Sequence, residues 1–347
     1  MDEATIISEA WTRDPKAWRG LADQDMKAVY IEQTGAPDVM RFGERPTPEP
    51  GKGEVLVKLA YSGVNFTDLN ARSGINKIPL PAVLGSEGAG TVERVGEGVT
   101  EYKTGDRVAY CMVRGSYAEH AAVPVKMLAP IPTGIDFQTA AAAMLQGMTA
   151  HYLTHSTFPL KRGQTALVHA AAGGTGRLIV QVAVMLAARV IATVGTEAKA
   201  RLAREAGASD AILYDQQDWV AEVKRLTGGA GVDVIYDSVG KATYMKGFEC
   251  LKPRGMMVHF GVASGPIEPF DTRTLTAKGS VFLARPKLAS HVADPQELAW
   301  RAGDIFRWIR EGKLALRIDR EYPLTEAAQS HRDMEARKTT GKLLLRV

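Results

Sequence analysis

The residues with the plainest chemical meaning are Ala-Ala-Ala-Gly-Gly-Thr-Gly at 170–176. Ala171, Gly173 and Gly176 keep the G-x-G-x-x-G spacing, with alanine in the first place. That spacing meets three demands of a dinucleotide site: a tight strand-to-helix turn, backbone close enough to touch a pyrophosphate, and close helix–sheet packing. A helix starting here aims free N–H groups and its positive dipole end at the phosphates. Glycine-rich turns are common, so the context decides. The apolar run TALVHA (165–170) precedes this turn and an amphipathic stretch follows it. Ala172, Gly173, Gly174, Thr175 and Gly176 are therefore expected to bind the cofactor phosphates.

The type of nicotinamide cofactor is read from the end of the second strand, ATVGTEAKAR (192–201). An NAD site places Asp or Glu there to hold the ribose 2′-hydroxyl. Gly195 and Thr196 stand in that place instead, leaving room for a 2′-phosphate, and Lys199 lies one turn on with Arg201 nearby. Glu197 is a competing signal for a diol. NADPH is the expected cofactor.

Other chemistries find less support. Cys111 and Cys250 are the only cysteines, which excludes a disulfide framework and a cysteine-rich zinc site. His151 and His155 share one helical face but lack a third ligand nearby, so no metal is expected. The net charge of +4 is spread thinly, without the basic tract that nucleic-acid binding requires. No apolar run approaches a membrane span. Charges through the first 25 residues leave no secretory signal, so the expected compartment is the cytoplasm.

The elements that must position these groups fall into blocks. Residues 1–25 form an N-terminal extension, with Trp11 and Trp18 seven apart as on one helical face. From Met26 to about Val125, Gly and Pro punctuate short alternating strands, as in a mixed β barrel. An Ala-rich helix over 136–155 leads into a strand–helix rhythm. Strands are expected at 165–170, 189–194, 210–214, 232–239, 256–261 and 280–285, with helices at 176–188, 197–207, 216–227 and 241–251. That alternation predicts a parallel sheet covered on both faces. A helix over 295–312 and the strand 342–347 return to the first domain.

SGVNFTDLNARSG (62–74), PAVLGSEGAGTVERVGEGV (81–99), GDRVAY (105–110), HAAAGGTG (169–176) and YDSVG (236–240) together resemble the medium-chain dehydrogenase/reductase family, in its zinc-free quinone oxidoreductase branch. The resemblance runs from Met26 to the C-terminus. The fold class it implies is α/β: a GroES-like β-barrel catalytic domain over 26–150, completed by about 291–347, plus a Rossmann doubly wound parallel sheet over 151–290. Zinc-dependent relatives carry a cysteine and a histidine where this chain has Asn65 and Ser86, neither a usual zinc ligand.

The resemblance further implies that Lys199 and Tyr214, beside Gly195, contact the 2′-phosphate. It puts Asn65 near the nicotinamide, with Gly261, Val262, Ala284 and Arg285 lining the cofactor. Asn70 and Arg177 depart from the branch.

The expected reaction is metal-free hydride transfer from NADPH to a quinone or similar conjugated carbonyl, in a homodimer paired through an edge strand such as 280–285. Asn65, Tyr61 and Thr67 are the candidate hydrogen-bond donors to the developing oxyanion. Asp68 is read as fixing its loop rather than moving a proton. Two alternatives stand beside this: an NADPH-dependent enone or 2-enal double-bond reductase, and a non-catalytic NADPH-binding protein.

Overall fold

The computed structural model describes residues 25–347, so the paired tryptophans of the N-terminal extension lie outside the described residues. The described residues divide into two units: those up to 145 with 291–310 and 316–347, and residues 146–290 with 311–315.

The first unit is built on strand Glu54–Val64, where Val55, Leu56, Val57, Leu59 and Val64 are buried. A seven-stranded sheet runs Ile318–Pro323, Lys342–Arg346, Glu54–Val64, Glu87–Val95, Arg107–Cys111, Leu128–Pro130, with His120–Pro124 also paired to the central strand. A three-stranded sheet joins Arg41–Pro46, Asp25–Ile31 and Ala82–Val83. Among the described residues these sheets do not close into one barrel, because their strands are shared between two hydrogen-bonded systems. Leu343 sits opposite Val64 and Leu345 opposite Ser62, so the C-terminal strand completes the core that Val64, Leu69, Leu343 and Leu345 share.

The second unit is a six-stranded sheet, parallel throughout, ordered Asp210–Leu213, Arg189–Val194, Thr165–His169, Val232–Asp237, Leu251–His259, Phe282–Ala284. The order reverses between Thr165–His169 and Val232–Asp237, the switch point at which such sheets bind ligands beyond their carboxyl ends. Leu167, Ile191, Ile235 and Met257 from four neighbouring strands share one buried cluster, as the apolar strand runs require.

Three expected elements are corrected. The helix over 241–251 is one α turn, Tyr244–Gly247, followed by a 3-10 turn, Phe248–Cys250. The strand expected at 256–261 starts early as Leu251–His259, with Arg254 at φ 63 and a register shift where it meets Val232–Asp237. Buried Phe248 and Cys250 anchor the shortened segment against the sheet, and extended pairing takes over from Leu251. The strand at 280–285 is trimmed to Phe282–Ala284.

Glycine substitutions separate tight places from open ones. A Cβ on Gly63 would lie 2.2 Å from Glu87 Oε2 and 2.8 Å from Lys342 Nζ, both buried. Gly63→Ala is expected to lower stability by about 1–3 kcal/mol or more. Gly303, exposed within helix Pro295–Arg310, has nothing within 4 Å of an added Cβ, and Gly303→Ala is expected to gain about 0.5–1 kcal/mol. Urea midpoints of the two variants measure both; a G63A as stable as wild type rules out the close packing.

Candidate active site

Apart from Asn65, which lies in the first unit, the cofactor residues expected from the sequence lie at or just beyond the carboxyl ends of parallel strands. Residues 170–176 follow Thr165–His169, Gly195 and Lys199 follow Arg189–Val194, and Tyr214 follows Asp210–Leu213. Gly261 and Val262 follow Leu251–His259, while Ala284 ends the last strand with Arg285 next to it. Parallel strands have all these ends on one edge, so topology brings the residues together.

The phosphate turn is tight. Ala170 takes φ 51 in the left-handed region, and its carbonyl accepts the Gly173 N–H at 2.9 Å. Helix Gly174–Met185 starts at once, with Gly173 as its N-cap. A Cβ on Gly176 would lie 2.4 Å from the Ala170 carbonyl oxygen, and one on Gly174 would lie 2.1 Å from Gln146 Oε1. Ala171 and Ala172 are buried beneath the turn. Among the described residues, the N–H groups of Gly174, Thr175 and Gly176 donate to no hydrogen bond in the protein. Three unpaired amides on a glycine floor at a helix N-terminus are what a pyrophosphate needs, so the chain fits this half of the cofactor.

The adenosine end is equally close. A Cβ on Gly195 would meet the Tyr214 hydroxyl at 2.9 Å and Asp215 Oδ2 at 3.3 Å, the ends of two exposed side chains. Thr196 caps helix Glu197–Glu205 by accepting the Lys199 N–H. Glu197, the competing acid, accepts Arg204 Nη1 at 3.0 Å. Arg177 reaches sideways from the phosphate turn to the Leu202 carbonyl at 3.5 Å, toward the next helix. A Cβ on Gly261 would come within 2.7 Å of the Ser238 carbonyl oxygen, and Arg285 donates to the His259 carbonyl at 3.0 Å.

Beneath these loops lies a buried polar layer that the strand pattern does not reveal. His169, Thr193, Asp237 and His259 come from four adjacent strands and are all buried. His169 Nδ1 meets Thr193 Oγ1 at 2.7 Å. Asp237 Oδ1 accepts the N–H groups of Val239 and Gly240 and the Thr243 hydroxyl, pinning the turn above it, and His259 Nδ1 lies 3.7 Å from Asp237 Oδ2. Burial pushes the Asp237 carboxyl up, but these donors and His259 outweigh it and hold it below its ordinary range. The HFG run at 259–261 has the pattern of a strand end, and nothing in it marks His259 as polar core.

In the first unit, Asn65 is 3 % exposed and caught between charges. Its Oδ1 accepts Lys342 Nζ at 2.7 Å, and its Nδ2 donates to Glu87 Oε2 at 2.8 Å and to the Gly63 carbonyl at 3.4 Å. Lys342 Nζ also donates to Glu87 Oε2 at 2.5 Å, while Glu87 Oε1 accepts the Leu145 N–H. Both amide hydrogens of Asn65, the residue expected to donate to a substrate oxygen, have protein acceptors. Tyr61 and Thr67 are part-buried, and no hydrogen bond joins either hydroxyl to this network.

Asp68 does fix its loop. Its Oδ2 accepts the Asn65 N–H at 2.9 Å and its Oδ1 accepts the Ser86 hydroxyl at 2.6 Å. The Tyr117 hydroxyl, 3.4 Å from Asp68 Oδ2, touches His331 Nε2 at 3.1 Å. Burial dominates and pushes the Asp68 carboxyl up to about 6. Burial, with Arg72 close by, lowers His331 to about 3. Lys342, Glu87 and His331 were not singled out from the sequence. Glu87 was visible in the GSEG motif, but Lys342 opens an apolar strand and reads as its polar edge.

Among the described residues no three His, Cys, Asp or Glu side chains cluster as metal ligands; His151 and His155 stack on each other with centroids 4.3 Å apart. No helix of the described residues is long and apolar enough to cross a membrane.

Comparison with known proteins adds independent findings. Residues 51–133 match the family described as an alcohol dehydrogenase GroES-like domain, and residues 174–286 the family described as a zinc-binding dehydrogenase. A quinone oxidoreductase of Pseudomonas aeruginosa is 42 % identical over 92 % of this chain and 99 % of its own. A 2-haloacrylate reductase of a Burkholderia species is 40 % identical over 92 % of this chain and 98 % of its own. The solved structure of Escherichia coli quinone oxidoreductase complexed with NADPH aligns with a TM-score of 0.91 at 37 % identity, covering 92 % of this chain and all of that one.

Two stability measurements probe the buried network. Lys342→Met strands the Glu87 carboxylate and is expected to cost about 3–5 kcal/mol; adding Glu87→Gln should recover at least about half. An unfolding midpoint for K342M equal to wild type excludes the pair as a structural element. The second measurement concerns pH. Asp68 binds its proton more tightly in the fold, so its contribution is complete below the unfolded carboxyl range and is lost as pH rises through about 6. His331 has the opposite sign, losing stability as pH falls below the unfolded imidazole value. The stability difference between wild type and Asp68→Asn should therefore widen in favour of wild type by about 1 kcal/mol between pH 7.5 and pH 5. A difference independent of pH sinks the assignment.

Proposed function

The chain belongs to the medium-chain dehydrogenase/reductase family, in its quinone oxidoreductase branch, and on that premise we propose the reaction and the residues that serve it. It is an NADPH-dependent oxidoreductase acting on a quinone. The observation that carries the reading is the row of unpaired amides at Gly174, Thr175 and Gly176 over a glycine floor.

NADPH, when bound, supplies the hydride. The amides of the phosphate turn hold its pyrophosphate, with Ala172 and Gly173 shaping the turn. Lys199 and Tyr214 take the 2′-phosphate over Gly195, which is why that strand end carries no side chain. Gly261, Val262, Ala284 and Arg285 line the remainder. Tyr61 and Thr67 offer hydroxyls to the oxygen on which charge develops. Asn65, held at both ends by Lys342 and Glu87, is a positioning residue. The same cluster supports a zinc-independent reaction, since the Lys342 ammonium already serves the Asn65 and Glu87 oxygens. The assembly is a homodimer through the edge strand Phe282–Ala284, whose Phe282 is 54 % exposed.

A second reading is favoured by the haloacrylate reductase likeness: reduction of a conjugated carbon–carbon double bond. Initial rates of NADPH oxidation with 1,4-benzoquinone and with a simple enone or enal separate the two. The quinone is expected to win by more than about tenfold in kcat/KM. Tight NADPH binding with no turnover of any acceptor would point to a non-catalytic binder.

Lys199→Ala is expected to raise the KM for NADPH about tenfold while leaving that for NADH within about twofold. An equal effect on both cofactors refutes the 2′-phosphate assignment. Sedimentation should give twice the chain mass of 37.5 kDa; a single chain mass refutes the dimer.

A further inference from the structure

The second strand ends on Gly195, yet the space above that glycine is not without an acid. Asp215 Oδ2 would lie 3.3 Å from a Cβ placed there, next to the Tyr214 hydroxyl at 2.9 Å. Asp215 comes from the neighbouring strand, two residues past the end of Asp210–Leu213. Its backbone is held in a defined turn. The Tyr214 N–H donates to the Val194 carbonyl at 3.2 Å, and the Gln216 and Gln217 N–H groups both donate to the Leu213 carbonyl. Gln217 Oε1 in turn accepts the Leu213 N–H at 2.9 Å. The Asp215 side chain itself is exposed and has no hydrogen bond or ion pair among the described residues. Glu197, the other acid nearby, is occupied by Arg204 at 3.0 Å.

We propose that Asp215 is a specificity-determining residue at the adenosine end of the site: it accepts a hydrogen bond from the ribose 2′-hydroxyl of NADH and repels the 2′-phosphate of NADPH. The acid that an NAD site carries at the end of its second strand is supplied here from the adjacent strand. Lys199 and Asp215 then act in opposition over one glycine. The cation favours the phosphate, the carboxylate favours the diol, and the preference for NADPH is narrower than Lys199 and Tyr214 alone would set. A free carboxylate close to a dianion is unfavourable even in high dielectric, and the penalty is screened by salt.

The inference rests on the NADPH reading, so the test separates the two. Titration calorimetry of the wild type, Asp215→Asn, Asp215→Ser and Lys199→Ala with adenosine 2′,5′-bisphosphate and with AMP reads binding without turnover. Both Asp215 variants replace an exposed, unpaired side chain and leave the turn's hydrogen bonds intact. They should bind the bisphosphate about five- to tenfold more tightly than wild type, and AMP severalfold more weakly, with the gain shrinking as salt is raised. Bisphosphate and AMP affinities within about twofold of wild type in both Asp215 variants overturn the proposal. If Lys199→Ala still weakens the bisphosphate in that case, the NADPH reading stands without it. If the Asp215 variants weaken AMP while Lys199→Ala changes nothing, the 2′-phosphate reading falls and the role of Asp215 as a diol acceptor is kept.

Discussion

A buried ammonium facing a buried carboxylate sets the terms for the first unit. Lys342 and Glu87 are 2 % and 0 % exposed and 255 residues apart in sequence. Neither charge tolerates burial alone, so each must find the other and fill its remaining hydrogen-bond positions. Asn65 Oδ1 and the Leu145 N–H do that filling. The consequence is register. Strand Lys342–Arg346 pairs with Glu54–Val64 with Leu343 opposite Val64, and a slip of one residue would exchange its two buried faces and carry the ammonium away from Glu87. The last residues of the chain are thereby tied to its first domain, and Gly63 has no side chain because the ion pair occupies that space.

The second unit obeys a steric constraint of the same kind with a different outcome. Gly176 lies against the Ala170 carbonyl, Gly195 under Tyr214 and Asp215, and Gly261 against Ser238. In the first unit the close approach serves a pair of charges within the protein. At the phosphate turn it leaves three amides without a hydrogen-bond partner among the described residues, donors that a phosphate can use. Asp237 supports this arrangement from below by holding the 238–243 turn with its own carboxylate.

What could be read from the sequence follows from which interactions are local. The strand–helix alternation, the glycine turn and the vacancy at Gly195 depend on neighbours within a few residues, and all three are legible in the residues themselves. The short turn at Tyr244–Gly247 was not, because Phe248 and Cys250 pack against strands distant in sequence, and this tertiary contact outweighs helical periodicity. The Lys342–Glu87–Asn65 network and the layer of His169, Asp237 and His259 were hidden for a related reason. A lysine opening an apolar strand or a histidine closing one looks like a polar edge until its partner, far along the chain, is known. Asp215 is inconspicuous in the sequence because the expected place for an acid is the second strand, and this one follows the third.

The chemistry the chain can perform is limited by how fully its polar groups satisfy one another. Asp68, with its carboxyl pushed up to about 6, has the acidity that general-acid work at neutral pH calls for. Its oxygens, however, already accept from Ser86 and from the Asn65 N–H, with Tyr117 close by, and the residue is 3 % exposed. Reducing a carbon–carbon double bond ends with a proton placed on carbon, which asks for an acid held at a fixed point. Reducing a quinone ends with protons on two oxygens, which water can supply. With the Asp68 carboxyl enclosed in this way, the second reaction asks less of the protein than the first.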